Sequence, residues 1–213
     1  MALLKNSQEK RRNGLMLCSQ QEQESGNLKE MWNEEVRKRK IESVQKMIAQ
    51  CIGSHYLNEF NEDKIRQKDE LDRYIEDIYR GKGLIITGGV GVGKTMDLVY
   101  IVKKLAAHSN FNSGTVGYYF MPDLFNLLHF GKGTKPAKNV ILDDWGREYA
   151  EPFALSRFEI FIEELYSREI PVIATTNLKI KEFIGREGWE RITDRMRETC
   201  NVLKIRGKSM RHR

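Results

Sequence analysis

Cysteine, histidine and proline are scarce in this chain, and their scarcity excludes several classes of protein. The 213 residues include three cysteines, four histidines and four prolines. The cysteines, Cys18, Cys51 and Cys200, lie far apart and form no C-x-x-C pair, which argues against a disulfide framework and against a zinc site. We therefore expect a reducing, cytoplasmic environment.

Long apolar runs are also missing. No stretch approaches the roughly 18 residues that a membrane-spanning helix needs. The N-terminus turns polar after a short apolar start, so that no secretory signal and no membrane partner are predicted. The chain is nevertheless 40% hydrophobic, which is enough to build a core, and its net charge is +6. The last ten residues carry five lysines or arginines and no acid, a pattern that fits either solubility or contact with a phosphate backbone.

The composition and the hydrophobic pattern of the sequence change along the chain, and these changes predict three regions. Residues 1–27 are polar and are expected to be poorly ordered in isolation. Residues 28–80 contain two amphipathic helical patterns, the first ending at Gly53 and Ser54 and the second covering about 64–80, and are predicted to form a helical partner-binding region and linker. Residues 81–213 alternate short β-rich runs with helical segments.

Those β-rich runs predict a parallel sheet. They cover residues 83–87, 115–120, 139–144, 171–177 and 201–205, and most read as continuous apolar stretches. Continuous apolar strands separated by helices are typical of a sheet that is buried on both faces. The predicted fold class is therefore a three-layer α/β domain of about 130 residues.

A phosphate-binding loop follows the first predicted strand. GGVGVGKT matches G-x-x-x-x-G-K-[ST] and opens a predicted helix, which is the context that the motif requires. Glycines let backbone N–H groups converge on phosphate oxygens. In this interpretation Lys94 reaches the β- and γ-phosphates of ATP, and Thr95 supplies a hydroxyl to Mg²⁺. The predicted nucleotide-binding residues are Gly88, Gly89, Val90, Gly91, Val92, Gly93, Lys94 and Thr95.

Polar side chains end two further apolar strands. Asp143 and Asp144 close NVILDD, where the first would hold Mg²⁺ through water and the second would orient or deprotonate an attacking water. PVIATTN ends in Thr176 and Asn177. Because ligands bind at the carboxyl ends of strands in a parallel sheet, one of these two residues is expected near the γ-phosphate.

These pieces, in this order, resemble the AAA+ ATPases, and more narrowly the DnaC/DnaI helicase loaders and the related IstB transposition ATPases. The resemblance extends from about Tyr56 onward and rests on five stretches: RYIEDIYRGKGLIITGGVGVGKT, VILDDWG, IPVIATTNL, ERITDRMRE and GKSMR. It implies an AAA+ (RecA-like) P-loop ATPase core, preceded by a small helical region and without a full helical lid.

The resemblance also implies roles for single residues. Asp143 is similar to the Walker B aspartate, Asp144 to the catalytic acid beside it, and Asn177 to sensor 1. Arg195 in ERITDRMRE matches an arginine finger that would complete the site of an adjacent subunit, so a homo-oligomer is expected. Arg211 in GKSMR resembles the sensor 2 arginine.

Two departures from the family's pattern bear on function. The second acid is Asp144 rather than glutamate, which fits slow or conditional hydrolysis. The segment 121–139 is shorter than the helical insertion with which loaders engage single-stranded DNA. Its Phe130, with Lys132, Lys135 and Lys138, could stack a base and neutralise phosphates, although an ordinary exposed loop fits the same residues equally well.

Four functions remain open from the sequence. The first is an ATP-dependent loader of a hexameric replicative helicase that assembles on single-stranded DNA. The second is an IstB-like regulator of transposition. The third is a P-loop kinase for a small molecule, which the Asp-Asp and Asn177 pattern favours less than water activation. The fourth is a nucleotide-binding module without turnover, suggested by Asp144.

Overall fold

The computed structural model describes residues 29–106, 115–132 and 135–210, with only the backbone at Tyr79. The predicted flexible region 1–27 and the predicted sensor 2 residue Arg211 lie outside these ranges. The chain divides into two units between Glu42 and Ser43. No helix in the described ranges is long and apolar enough to cross a membrane.

Helices precede the sheet. Their bounds are α1 (29–48), a π-helical turn Ala49–Gly53, α2 (Ser54–Asn58), a 3₁₀ turn Glu62–Lys64 and α3 (Lys68–Tyr79). The predicted break at Gly53 is a local one, because helical structure resumes at Ser54 after a backbone φ of 126° at the glycine. The second predicted helix begins later than expected, at Lys68 rather than about 64.

The apolar residues of α1 are exposed near the beginning of the helix and buried near its end. In the first unit Met31 and Trp32 are exposed, and Trp32 leaves 68% of its surface open. In the second unit Val44 and Ile48 are buried in the core. The apolar face predicted for the whole segment therefore packs into a core from Val44 onward.

The described residues after α3 form five strands and five helices, and the two kinds of element alternate except that two helices precede the last strand. The strands are β1 (Gly83–Thr87), β2 (Val116–Phe120), β3 (Asn139–Trp145), β4 (Val172–Thr176) and β5 (Cys200–Lys204). The helices are α4 (Lys94–Ala106), α5 (Met121–His129), α6 (Pro152–Ser167), α7 (Ile180–Ile184) and α8 (Glu190–Thr199). The sequence patterns predicted all of these elements to within a few residues except the short helix α7.

The strands form one parallel sheet in the order β2-β3-β4-β1-β5. Helices cover both faces, since one buried cluster contains residues of α3 and α4 and the other contains residues of α5, α6 and α8. Strands β1 and β4 are buried along their whole length, which explains their continuous apolar sequences. The three-layer α/β prediction is confirmed, and no helical lid follows β5 among the described residues.

This order places side by side the three strand ends that carry predicted site residues. Strand β4 lies between β3 and β1, so the aspartates near the carboxyl end of β3, the polar end of β4 and the loop after β1 meet at one edge of the sheet. In parallel sheets this edge, at the carboxyl ends of the strands, is where ligands bind.

Candidate functional site

The loop after β1 folds around the Lys94 ammonium. Lys94 Nζ donates to the carbonyl oxygens of Gly88 and Gly89, both at 2.9 Å. Gly91 and Gly93 have backbone φ values of 78° and 113°, which glycine adopts without the steric cost that a side chain would bring. The sequence requirement for glycine at these two positions is therefore a backbone requirement.

Asp143 is buried at the carboxyl end of β3 and is held by two hydroxyl groups. Tyr118 Oη in β2 donates to its Oδ2 at 2.8 Å, and Thr175 Oγ1 in β4 donates to its Oδ1. Burial, together with the nearby Asp143 carboxylate, raises the pKa of Tyr118, so the phenol stays protonated as a donor. These two contacts orient the carboxylate.

Asp144 lies at an irregularity in the sheet. The pairing of β3 with β4 shifts register between Leu142 and Trp145, and Asp144 has a positive φ of 59°. Asp and Asn tolerate this left-handed conformation better than most residues with longer side chains. The local backbone thus gives a physical reason for aspartate, rather than glutamate, at this position.

Asn177 connects the loop lysine to Asp144. Its Oδ1 accepts from Lys94 Nζ at 2.6 Å, and its Nδ2 donates to Asp144 Oδ1 at 2.8 Å. Thr176, the other residue considered for this place, is fully buried, and its hydroxyl donates to the carbonyl oxygen of Trp145 at 2.6 Å. Of the two candidates, the structure brings Asn177 to the loop lysine.

A cleft of about 1110 Å³ opens over these groups. Lys94, Thr95, Asp143, Asp144 and Asn177 all line it. Its volume is slightly above the range of about 300–1,000 Å³ that is usual for small-ligand sites. Of the predicted nucleotide-binding residues, Val90, Gly91 and Gly93 also line the cleft, whereas Val92 is buried in the core.

Residues that sequence reasoning missed form much of the cleft wall. They come from the helical region before the sheet, from β2 and from the loop after β3, and include Cys51, Ile52, His55, Tyr56, Ile65, Tyr118, Phe120 and Arg147. The alternation in β2 was a usable signal for Tyr118, because Tyr118 and Tyr119 pack against opposite clusters. The stretch 51–65 carried no comparable signal, since only the tertiary fold brings it over the loop.

The segment after β5 runs back over the phosphate-binding loop. Met210 N donates to the carbonyl oxygen of Gly91 at 2.8 Å, and Met210 lines the cleft. Arg66 Nη2 donates to the carbonyl oxygen of Lys208 at 2.9 Å. The predicted sensor 2 residue would directly follow Met210, so the described chain approaches the cleft up to that position.

A buried acid lies in the first turn of α4. Burial raises the pKa of Asp97 to about 7, against the lowering influence of the Lys94 and Arg66 cations. Its Oδ2 has no hydrogen-bond partner among the described residues. A carboxylate in this environment loses hydration that hydrogen bonds do not fully replace.

The residues of the cleft fit a nucleotide with a magnesium ion. A buried cation, Lys94, lies beside glycines that leave the loop backbone accessible, as phosphate groups require. Thr95 and Asp143 supply a hydroxyl and a carboxylate. Within the described ranges no three His, Cys, Asp or Glu side chains form a metal-binding group. Mg²⁺ usually takes one or two protein ligands and completes its shell with water and phosphate, so a hydroxyl and a carboxylate are ligands of the kind that it needs.

Arg195 lies on α8, away from the cleft. Its Nε donates to Glu163 Oε2 of α6 at 3.0 Å, and its guanidinium lies 4.2 Å from the centre of the Tyr166 ring. It does not line the cleft of its own chain. The neighbouring Arg191 is highly exposed and pairs with Glu159.

The segment 121–139 begins with α5, and several of the described residues after that helix are exposed. The Phe130 ring is 75% exposed, and Lys132, Lys135 and Lys138 are exposed as well. Residues 133–134 lie outside the described ranges. The structure thus keeps an aromatic ring and basic side chains at the surface of this segment.

Several solved structures share this fold. The crystal structure of DnaI aligns with a TM-score of 0.56 at 21% identity and covers 73% of this chain and 89% of that chain. The DnaC helicase loader aligns with a TM-score of 0.55 at 20% identity and covers 71% of this chain and 99% of that chain. AMPPCP-bound DnaA from Aquifex aeolicus aligns with a TM-score of 0.53 at 18% identity, covering 71% of this chain and 49% of that chain.

No family model and no curated protein matches the chain by sequence. At this level of identity the structural similarity establishes the fold alone. The chain shares the α/β fold of DnaI, DnaC and DnaA, and the predicted resemblance is confirmed at the level of the fold.

Proposed function

We propose that this chain is an ATP-dependent AAA+ switch that loads a replicative DNA helicase. The observation that carries the ATPase part is the chain of contacts from Lys94 through Asn177 to Asp144, with Asp143 beside it in one cleft. A cation for phosphates, a magnesium ligand and a water-activating acid are the parts that phosphoryl transfer to water needs.

Each residue has a defined task in this proposal. Lys94 binds the β- and γ-phosphates, and Thr95 and Asp143 hold Mg²⁺, which neutralises developing charge on the phosphates. Asp144 orients or deprotonates the attacking water. Asn177, which contacts both Lys94 and Asp144, reports the state of the γ-phosphate to both groups.

The loader role is supported by the extent of the structural similarity. The alignment covers almost the whole of the DnaI and DnaC chains, whereas it covers about half of DnaA. Helix α1 adds a surface for a partner, because its residues Met31 and Trp32, which belong to the first unit of the chain, are exposed. We propose that this helix binds the hexameric helicase.

The position of Arg195 supports action between subunits. An arginine finger stabilises transition-state charge in a site to which another chain contributes. Arg195 lies outside its own cleft and is partly exposed, so it is available to a neighbouring copy once it leaves Glu163. We propose a homo-oligomer in which Arg195 completes the next subunit's site.

Nucleotide binding and phosphate release test the ATPase part. Wild type should bind ATP with Mg²⁺ and release phosphate, and Lys94→Ala should lose binding. Lys181→Ala, which removes an exposed lysine on α7, is the matched control and should behave like wild type. Transfer of labelled phosphate to a small acceptor without phosphate release would instead identify a kinase.

Co-purification with a hexameric helicase tests the loader part. The wild-type chain should bind the helicase, and Trp32→Ala should weaken that binding without changing ATP binding. Capture of a transposase, together with coating of duplex DNA, would overturn the loader role in favour of an IstB-like function.

Single-stranded DNA is the third partner in the proposal. The exposed Phe130 ring is suited to stack on a base, an interaction worth about 1–3 kcal/mol per base. Phe130→Ala should therefore weaken binding of a fluorescent single-stranded oligonucleotide. Equal binding by the variant and wild type would show that this segment is an ordinary loop.

Replacement of Arg195 tests the intersubunit role. Arg195→Ala should keep ATP binding and lose the hydrolysis that depends on assembly. Arg191→Ala, one turn away on α8, is the control and should retain that hydrolysis. Normal hydrolysis by Arg195→Ala under assembly conditions would remove this residue from the proposal.

A further inference from the structure

Arg147 is paired directly with Asp144 in the cleft. Its Nη1 lies 2.7 Å from Asp144 Oδ2, while Asn177 Nδ2 lies 2.8 Å from Oδ1. Both oxygens of the Asp144 carboxylate therefore accept a hydrogen bond from a protein group. The nearby Asp144 carboxylate raises the pKa of Arg147, so the cation is retained throughout the physiological range.

The segment that carries Arg147 is fixed to the interior by the next residue. Glu148 Oε2 accepts from the Gly146 N–H at 2.7 Å, and Glu148 Oε1 accepts from Arg186 Nη1 at 2.5 Å. The Arg186 guanidinium lies 3.7 Å from the centre of the Trp189 ring. Because Glu148 is buried, the backbone from which Arg147 reaches Asp144 is held against the α7–α8 region.

We propose that Arg147 is a clamp that withholds Asp144 from the attacking water until the clamp opens. This inference rests on the proposed ATPase function, because Asp144 matters only if the cleft hydrolyses a nucleotide. Arg147 acts through Asp144 and is a positioning residue. The clamp regulates the same site without contacting the reacting atoms.

The two oxygens of Asp144 explain how the clamp works. Asn177 occupies Oδ1 and Arg147 occupies Oδ2, so a water hydrogen that approaches either oxygen competes with a protein donor. A general base must be within hydrogen-bond reach of the proton that it abstracts. Withdrawal of Arg147 frees one oxygen and leaves the Asn177 contact in place.

The exposure of Arg147 makes the clamp reversible. Its side chain is 63% exposed, and solvent screening keeps such ion pairs weak. A weak pair can open without unfolding the segment, since Glu148 anchors the backbone independently. A partner or neighbouring subunit that offers Arg147 another anion would have the same effect as removing it.

Steady-state ATP hydrolysis by the isolated full-length chain tests the clamp. Arg147→Ala should raise kcat about 2- to 5-fold with KM for ATP unchanged, because only the availability of Asp144 changes. Arg147→Lys should restore the low wild-type rate, since lysine can also pair with the carboxylate. Arg168→Ala removes a comparable exposed ion pair, with Glu164, and should leave both constants unchanged.

Failure of the clamp and failure of the proposed function give different results. If wild type hydrolyses ATP in a Lys94-dependent manner and Arg147→Ala is no faster, the clamp is refuted alone. A lower kcat or a higher KM in Arg147→Ala would also refute it, because Arg147 would then assist the nucleotide. If wild type shows no hydrolysis, activity gained by Arg147→Ala supports the clamp, and its absence refutes both proposals.

Discussion

Replacing Arg186 by alanine should lower the free energy of unfolding by about 2–4 kcal/mol, because Glu148 would remain buried without its cation. The Glu148 side chain is 0% exposed and that of Arg186 is 22% exposed. Loss of a hydrogen bond to a charged group costs about 1.5–3 kcal/mol. Loss of the contact between Arg186 and the Trp189 ring adds about 0.5–1 kcal/mol.

Arg191→Ala is a matched control for this prediction. Arg191 also pairs with a glutamate, at 2.9 Å, but its side chain is 85% exposed. Exposed pairs of this kind contribute about 0–1 kcal/mol. Urea unfolding followed by circular dichroism should therefore separate the two variants. In thermal unfolding, Arg186→Ala should lower Tm by about 4–16 °C, at the 2–4 °C per kcal/mol typical of this chain length.

A double variant isolates the buried charge as the cause. Arg186→Ala/Glu148→Gln should be more stable than Arg186→Ala alone, because glutamine removes the unpaired charge and keeps an acceptor for the Gly146 N–H. The reasoning is refuted if Arg186→Ala costs no more than Arg191→Ala. It is also refuted if the double variant is less stable than the single one.

Three further predictions concern packing, the metal site and thiol chemistry. Gly83→Ala should lower the free energy of unfolding by about 1–3 kcal/mol, because an added Cβ would lie 2.5 Å from a carbonyl oxygen of β4; an unchanged urea midpoint would contradict this. Tyr118→Phe removes a donor to Asp143 and should raise the Mg²⁺ concentration needed for half-maximal ATP hydrolysis by about 10-fold. An unchanged magnesium titration would count against the assigned metal site. Iodoacetamide at pH 8 should alkylate the native protein at the exposed Cys51 but not at Cys200, because burial raises the pKa of the Cys200 thiol to about 12. Peptide mass spectrometry that finds Cys200 modified before unfolding would contradict its burial.

Much of the fold could be predicted from local patterns. Strand β1 occupies 83–87, as its apolar run predicted, and the helix after it begins at Lys94. The short helix α7 was missed because five residues contain too little periodicity to indicate a helix. The apolar face of α1 was predicted, but the part of it that is buried was not, because helical periodicity alone does not show which apolar residues pack into a core.

The candidate site was predictable in part for the same reason. Lys94 and the glycines before it act within one loop, so their spacing alone indicated a phosphate-binding loop. Asp143 and Asn177 could be expected together from the rule that parallel strands end at one edge. The ion pair of Asp144 with Arg147 could not be predicted, because an arginine three residues further along the chain could equally have pointed into solvent.

The sequence by itself determined the strand-loop-helix around Lys94, the parallel character of the sheet and the residue types available for chemistry. These depend on backbone preferences and on apolar runs, which act over a few residues. Only the tertiary structure decided the strand order, which places β4 between β3 and β1, and with it the contacts of Asn177 with both Lys94 and Asp144. The same is true of residues 51–65 over the cleft and of the Arg147 contact with Asp144. Such contacts depend on packing between distant segments or on one local φ angle, and neither leaves a periodic signal in the sequence.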